Sequence, residues 1–255
     1  MRVWPLSGIP EVNAGDDLSG LIARRCVAQG VQSGDTLMIA HKVVSKAEGR
    51  MIELSAVTAS AAAMQLAELT GKSPQLCELI LTESAAIVRR RGSTVICRTH
   101  HGFVCANAGI DSSNAPAGWV ILLPPDPDAS ARGLQAAVSR AVGGRVGVII
   151  TDTHGRAFRR GLVNVAIGVA GLEAVMDRRG EADREGRILI ATEQALADEL
   201  AAVSGIFMPK GGGSPVVVAS GFETTPAPGT AQDLVRRAEH DLFLHADVDR
   251  GGRSG

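Results

Sequence analysis

The chain has no tyrosine, and only five phenylalanines and two tryptophans among its 255 residues. A tyrosine acid, base or nucleophile is therefore excluded. Few aromatic rings remain to build a base-stacking platform. Charge of one sign is also lacking: 26 Lys and Arg stand against 27 Asp and Glu, a formal net charge of −1. A nucleic-acid binder would carry a basic footprint. The cysteines at 26, 77, 97 and 105 form no C-x-x-C pair and are too sparse for a disulfide scaffold, which fits a reducing compartment. No apolar run reaches the ~18 residues that suggest a membrane span. The opening MRVWPLSGIP lacks the apolar core of a signal peptide. We therefore expect a cytoplasmic protein that partners neither nucleic acid nor membrane.

Familiar motifs are missing as well. There is no GxGxxG for a Rossmann dinucleotide site and no GxSxG elbow. Gly71-Lys72-Ser73 resembles the end of a phosphate loop, but Leu66 occupies the place of the required earlier glycine. A helical pattern rather than a strand precedes it, so it reads as a helix C-cap. No repeat of 20 to 50 residues is visible.

What is present is an ordinary globular balance of 45% hydrophobic and 21% charged residues, punctuated by 30 glycines. That is enough to bury a core without staples. Residues 1–245 are expected to form one domain, with two subdomains as a variant. The glycine-rich, charged stretch 246–255 is expected to be a disordered tail. Strands are expected at 3–6, 36–44, 85–89, 95–99, 103–106, 119–123, 145–151 and 216–219. Helices are expected after Asp16-Asp17 and at 58–69, 130–142 and 192–203. This alternation predicts a mixed α/β fold, and the hairpin-like segments at 85–123 argue against a plain doubly wound sheet.

Three segments carry chemistry. HKVVSKAEG (41–49) sets two lysines and a serine at the end of a buried strand. Cations leaving a core suggest a waiting phosphate; a solvated strand end is the plainer reading. CANAGIDSSN (105–114) gathers Asn107, Asp111 and Asn114, short oxygen donors suited to magnesium or manganese, or to an Asx-rich turn. IITDTHGRAFRRG (149–161) places Asp152 between two threonines just past an apolar strand, with Arg156, Arg159 and Arg160 on a Gly-bounded loop. Sheet ends of this kind hold sites, and the arginines suit carboxylate or phosphate. The alternative is a capping Asp with surface arginines. Together, two Asp loops and two basic loops suggest metal-assisted phosphoryl chemistry. MPKGGGSP (208–215) reads as a glycine loop lining a phosphate or base, or as a connector. Arg89 to Arg91 read as a solvated hairpin. His100 and His101 stand near Cys97 and Cys105, but adjacent histidines on a strand face opposite ways, so no zinc site is expected.

Taken in order, GDDL (15–18), VSKAEGR (44–50), VCANAGIDSSN (104–114), LLPPDPDASA (122–131), VGVIITDTHGR (146–156), VAIGVAG (165–171) and ADELA (197–201) are recognisable. The chain closely resembles the coenzyme F420-0:L-glutamate ligase, or F420 γ-glutamyl ligase, family over residues 3–222. The resemblance implies a homodimer with an unusual mixed α/β fold. It implies transfer of L-glutamate to the lactyl carboxylate of an 8-hydroxy-5-deazaflavin coenzyme precursor. GTP is consumed with a divalent metal, Mg or Mn, and GDP and phosphate are released; a monovalent cation is a further candidate cofactor. By motif, Gly8, Ile9, Pro10, Glu11, His41, Lys42, Lys46 and Asn114 would contact the nucleotide. So would the loop of Met208, Lys210, Gly211 and Gly212, closing over it. Asp111 and Asp152 would hold one metal and Thr153 would help hold a second. Lys46, Asp111, Asp152 and Arg156 are the expected catalytic residues, with Arg156 or Arg159 on a glutamate carboxylate. Pro209 departs from a common glycine, and Lys210 from an acidic or amide residue tied to metal; an ammonium has no lone pair to give. His41-Lys42 replaces the small hydroxyl residues of some relatives. The second, nitroreductase-like domain of some bacterial members is not expected. A paralogue acting on another carboxylate acceptor, a non-catalytic nucleotide-binding protein and a metal phosphohydrolase are the alternatives.

Overall fold

A computed structural model describes residues 1–209, 211 and 214–241. In chain order the elements are β1 (Arg2–Pro5), α1 (Leu18–Ala28), β2 (Thr36–Ala40), α2 (His41–Ala47), β3 (Met51–Glu53), α3 (Ala61–Thr70), α4 (Pro74–Thr82), β4 (Ser84–Arg91), β5 (Thr94–Thr99), β6 (Val104–Ala106), β7 (Trp119–Ile121), α5 (Pro127–Val142), β8 (Gly147–Arg156), β9 (Arg159–Ala170), β10 (Met176–Asp177), β11 (Glu193–Gln194), α6 (Leu196–Ser204) and β12 (Val216–Ser220). The class is mixed α/β, as expected. The expected tail at 246–255 lies outside the described residues.

The main sheet runs β1-β12-β2-β8-β9, and only β2 and β8 pair in parallel. Central strands covered on both faces need continuous apolar runs. Leu37, Met38 and Ile39 on β2 and Val148, Ile149 and Ile150 on β8 meet that need, all fully buried. Each such side chain is worth about 1.5–3 kcal/mol over an exposed one. The helices start and stop on local signals. Asp17, Ser60, Ser73 and Asp126 cap the N-termini of α1, α3, α4 and α5, and Pro74 and Pro127 follow two of these caps. Each cap satisfies an otherwise orphaned backbone donor. Gly71 and Gly143 end α3 and α5 in left-handed geometry, so the GKS segment is the expected C-cap.

β9 is an edge strand, and a bare edge invites foreign strands. Two first-turn carboxylates cover it here. Asp128 on α5 accepts the Val169 N–H at 2.8 Å and also the Ala231 N–H at 2.9 Å. Asp198 on α6 accepts the Ala166 N–H at 2.8 Å. Gly168 lets α5 approach closely, since a Cβ there would stand 2.4 Å from the Pro127 carbonyl oxygen. A smaller sheet, β4-β5-β6, packs with α3 and α4 around Leu66, Cys77, Ile80, Val95 and Cys97.

Several expectations are corrected. The strand expected at 36–44 stops at Ala40, and α2 begins at His41. The arginine loop is instead the end of a β8–β9 hairpin, with Arg156 and Arg159 paired across it. His100 and His101 lie in the turn after β5, not on a strand. Helix α4 and the full length of β9 were not anticipated, because Pro74 and the arginines look like breaks when read locally.

Candidate functional site

The register of the two parallel strands builds the site. Ala40 of β2 lies opposite Thr151 of β8, so the residues that follow, His41 and Asp152, meet at the C-terminal sheet end, where α/β proteins place ligands. His41 is 2% exposed. Its Nε2 stands 3.2 Å from Asp152 Oδ1, but off line, so it makes no hydrogen bond there. Its Nδ1 lies 3.3 Å from the Ser45 hydroxyl, one turn along α2. On β8, residues two apart share a face, and His154 Nε2 reaches Asp152 Oδ2 at 3.0 Å. Burial pushes the Asp152 carboxyl up, yet the two imidazoles outweigh it and hold the group well below the usual carboxylate range.

Helix α2 sets Lys42 and Lys46 one turn apart, hence on one face. Each lysine meets a carboxylate. Lys42 pairs with Asp111 at 2.7 Å and donates to the Ser113 hydroxyl at 3.0 Å. Lys46, 8% exposed, pairs with Glu11. Burial raises the Asp111 pKa, but Lys42 and the Ser113 N–H, 2.6 Å from Oδ1, bring it below the ordinary value. Thr153 donates to Asn164 Oδ1 at 2.8 Å, its partner across the hairpin. Asn164 in turn donates toward the Ser204 hydroxyl at 3.3 Å and Met208 Sδ at 3.8 Å.

Glu11, His41, Lys42, Lys46, Asp152, Thr153, Asn164 and Met208 line one cavity of about 260 Å³. Of the expected residues it brings together Ile9, Pro10, Glu11, His41, Lys42, Lys46, Asn114, Asp152, Thr153 and Met208. Asp111 touches it through Lys42. Gly8 lies to one side, its φ of +77° packed against the Arg25 guanidinium. Gly211 sits in an exposed turn; Lys210 and Gly212 lie outside the described residues. Arg156 is exposed on the hairpin, with Nη2 donating to the Arg160 carbonyl at 3.0 Å, and lines neither this cavity nor its neighbour. Sequence reasoning gave His154, Ser113 and Asn164 no role. Period two on β8 was the signal available for His154; Asn164 had none without the hairpin register.

Asp152, which accepts the Thr153 N–H, and Asp111 are held ionised, and both are hard oxygen donors of the kind that suits magnesium or manganese shared with phosphate oxygens. Among the described residues no three His, Cys, Asp or Glu side chains form a ready metal cage, and Cys97 and Cys105, cross-strand neighbours, are free thiols. Also among the described residues, no helix is long and apolar enough to cross a membrane.

Fold and site together define a mixed α/β protein with a lysine- and carboxylate-lined pocket at the ends of two parallel strands. The model of the F420-0:gamma-glutamyl ligase family matches residues 8–221, and the chain belongs to that family. It is 45% identical over 248 residues to the coenzyme F420:L-glutamate ligase of Methanopyrus kandleri, covering 95% of this chain and 97% of that one. The protein of the same name from Methanothermobacter thermautotrophicus is 44% identical over 93% of this chain and 96% of its own. That from Archaeoglobus fulgidus is 39% identical over 95% and 96%.

Proposed function

We propose that the chain is a GTP-dependent ligase. It forms an amide between L-glutamate and the carboxylate of the 8-hydroxy-5-deazaflavin coenzyme F420 precursor. Family membership supports glutamate ligation in F420 biosynthesis. The observation that carries the phosphoryl step is the pairing of Lys42 and Lys46 with Asp111 and Glu11 beside ionised Asp152. Such lysines are charges that entering phosphates would take over from carboxylates.

A carboxylate resists attack by an amine. In this reading its oxygen attacks the γ-phosphorus of GTP, GDP leaves, and an acyl phosphate forms. The glutamate nitrogen then attacks the carbonyl carbon, inorganic phosphate departs with the C–O electrons, and the nitrogen loses its proton. Lys42 and Lys46 hold the phosphates and offset charge at the transferring group. A divalent ion, when bound, neutralises phosphate charge; Asp152 and Asp111 would hold it, with Thr153 beside them. Asn114, Ile9, Pro10 and Met208 shape the nucleotide's bed. Phe158 and Leu162, 90% and 61% exposed on the hairpin, are apolar surface that a second copy of the chain would cover. Light scattering reads that homodimer.

The test is mass spectrometry of the coenzyme product. Purified protein is mixed with glutamate-free deazaflavin coenzyme, L-glutamate, GTP and magnesium or manganese. A gain of one or more glutamyl units, lost in Asp152→Ala, is expected. GTP bound but no gain would favour another acceptor or a non-catalytic binder. Phosphate release without glutamate would favour a phosphohydrolase.

A further inference from the structure

A second cavity, of about 360 Å³, lies on the other side of the Asp152–His154 contact. His154 lines this cavity, whereas Asp152 lines the first. The two cavities therefore adjoin at one imidazole and one carboxylate, 3.0 Å apart. Apolar surface comes from Phe103, Val165 and Leu234, and charge from Arg98, Arg236, Asp198 and Asp241. Arg98 is half-buried on β5. Among the described residues its guanidinium has neither an ion pair nor a hydrogen bond. A guanidinium partly withdrawn from water without an anion is costly, and its planar fork matches a carboxylate. Asp198 is held in place through Oδ1, which accepts the Ala166 N–H, and among the described residues Oδ2 carries no hydrogen bond. Asp198 also lies within electrostatic reach of His154, so it marks the end of the cavity nearest the first pocket.

We infer that this second cavity is the L-glutamate subsite, with Arg98 and Arg236 receiving the two carboxylates and Asp198 the amine end. The inference rests on the ligase reading and deepens it. Asp241 already has a contact of its own, so two guanidiniums and the open oxygen of Asp198 remain in a small, partly apolar cavity to mirror the charges of a dicarboxylic amino acid. The amine end then lies toward the first pocket, where Lys42 and Lys46 would hold the transferring phosphate. Arg156 and Arg159, which the sequence suggested for this task, project along the hairpin outside the cavity.

The experiment pairs calorimetry of L-glutamate binding, with GDP and magnesium present, with steady-state KM for all three substrates. Wild type is compared with Arg98→Met, Arg98→Lys and Asp198→Asn. Arg98→Met and Asp198→Asn are expected to weaken glutamate binding and raise its KM at least tenfold, with GTP KM within twofold. Arg98→Lys should recover part of the loss, and L-glutamine should bind wild type at least tenfold more weakly than L-glutamate. Coincident far-UV circular dichroism melts would exclude misfolding. Glutamate KM within twofold of wild type in Arg98→Met would overturn the inference and leave the ligase reading intact. A raised KM for the deazaflavin coenzyme in place of glutamate would assign the cavity to the acceptor and overturn it too. Absence of glutamate binding and of glutamyl product in wild type would sink the ligase reading, and this inference with it.

Discussion

Asp152 and His154 stand 3.0 Å apart on one face of β8, yet each opens into a different cavity. The imidazole fixes the carboxylate that we propose as a metal ligand, and such outer partners commonly matter ~10–100-fold to metal affinity. His154→Ala should raise the magnesium or manganese concentration for half-maximal ligation by about that factor. At saturating metal, kcat should largely return. A kcat loss that metal does not rescue would contradict this positioning role.

Asp152→Asn keeps the shape but removes the charge. Ligation should fall by at least ~100-fold, the upper end of outer-partner effects, because a direct ligand is lost. Excess EDTA should abolish product in wild type, and added magnesium or manganese should restore it. Full activity in either case would refute the metal assignment.

Lys46 is the more buried of the two lysines, and its partner Glu11 is 75% exposed. A charge-assisted contact is worth about 1.5–3 kcal/mol, so Lys46→Met should raise GTP KM at least ~10-fold. Glutamate KM should move little. Nucleotide titration by fluorescence or calorimetry checks the same point without turnover.

Burial pushes the Cys26 and Cys105 thiols up to about 12, with Asp35 adding to the first and Asp152 and Cys97 to the second. Thiolate, the reactive form, is then scarce at pH 8. All four cysteines are buried, so a thiol reagent should label the native protein slowly and titrate four groups after guanidinium denaturation. Fast native labelling of any one would show that the cores open.

Asp128 joins α5 to the edge strand β9 and to the Ala231 turn. Asp128→Ala removes two charge-assisted bonds of about 1.5–3 kcal/mol each. The expected loss of about 3 kcal/mol or more corresponds to a Tm drop of roughly 6–12 °C. Asp128→Asn, which keeps an acceptor, should lose less. Calorimetric melts decide it.

Much of this molecule is legible locally. The caps at Asp17 and Gly71, the apolar runs of β2 and β8, and the small hairpin sheet each follow from neighbouring residues. Where local reading failed, long-range pairing had won. Arg156 and Arg159 look like loop residues until β9 pairs with β8. His41 and Lys42 look like a strand end until the chain turns into α2. Asp198 falls in the middle of the helix expected at 192–203; α6 begins only at Leu196, and Asp198 in its first turn covers an edge-strand N–H.

The sequence by itself determined the class of fold, the absence of tyrosine chemistry, and the motifs that carry the family resemblance, because these depend on composition and short-range spacing. Tertiary structure alone decided that His41 meets Asp152, because that contact arises from the parallel register of strands more than a hundred residues apart. It also decided that Arg98 and Asp198 share one cavity with His154. Those three residues come from β5, α6 and β8, and no local spacing can encode the packing that joins them.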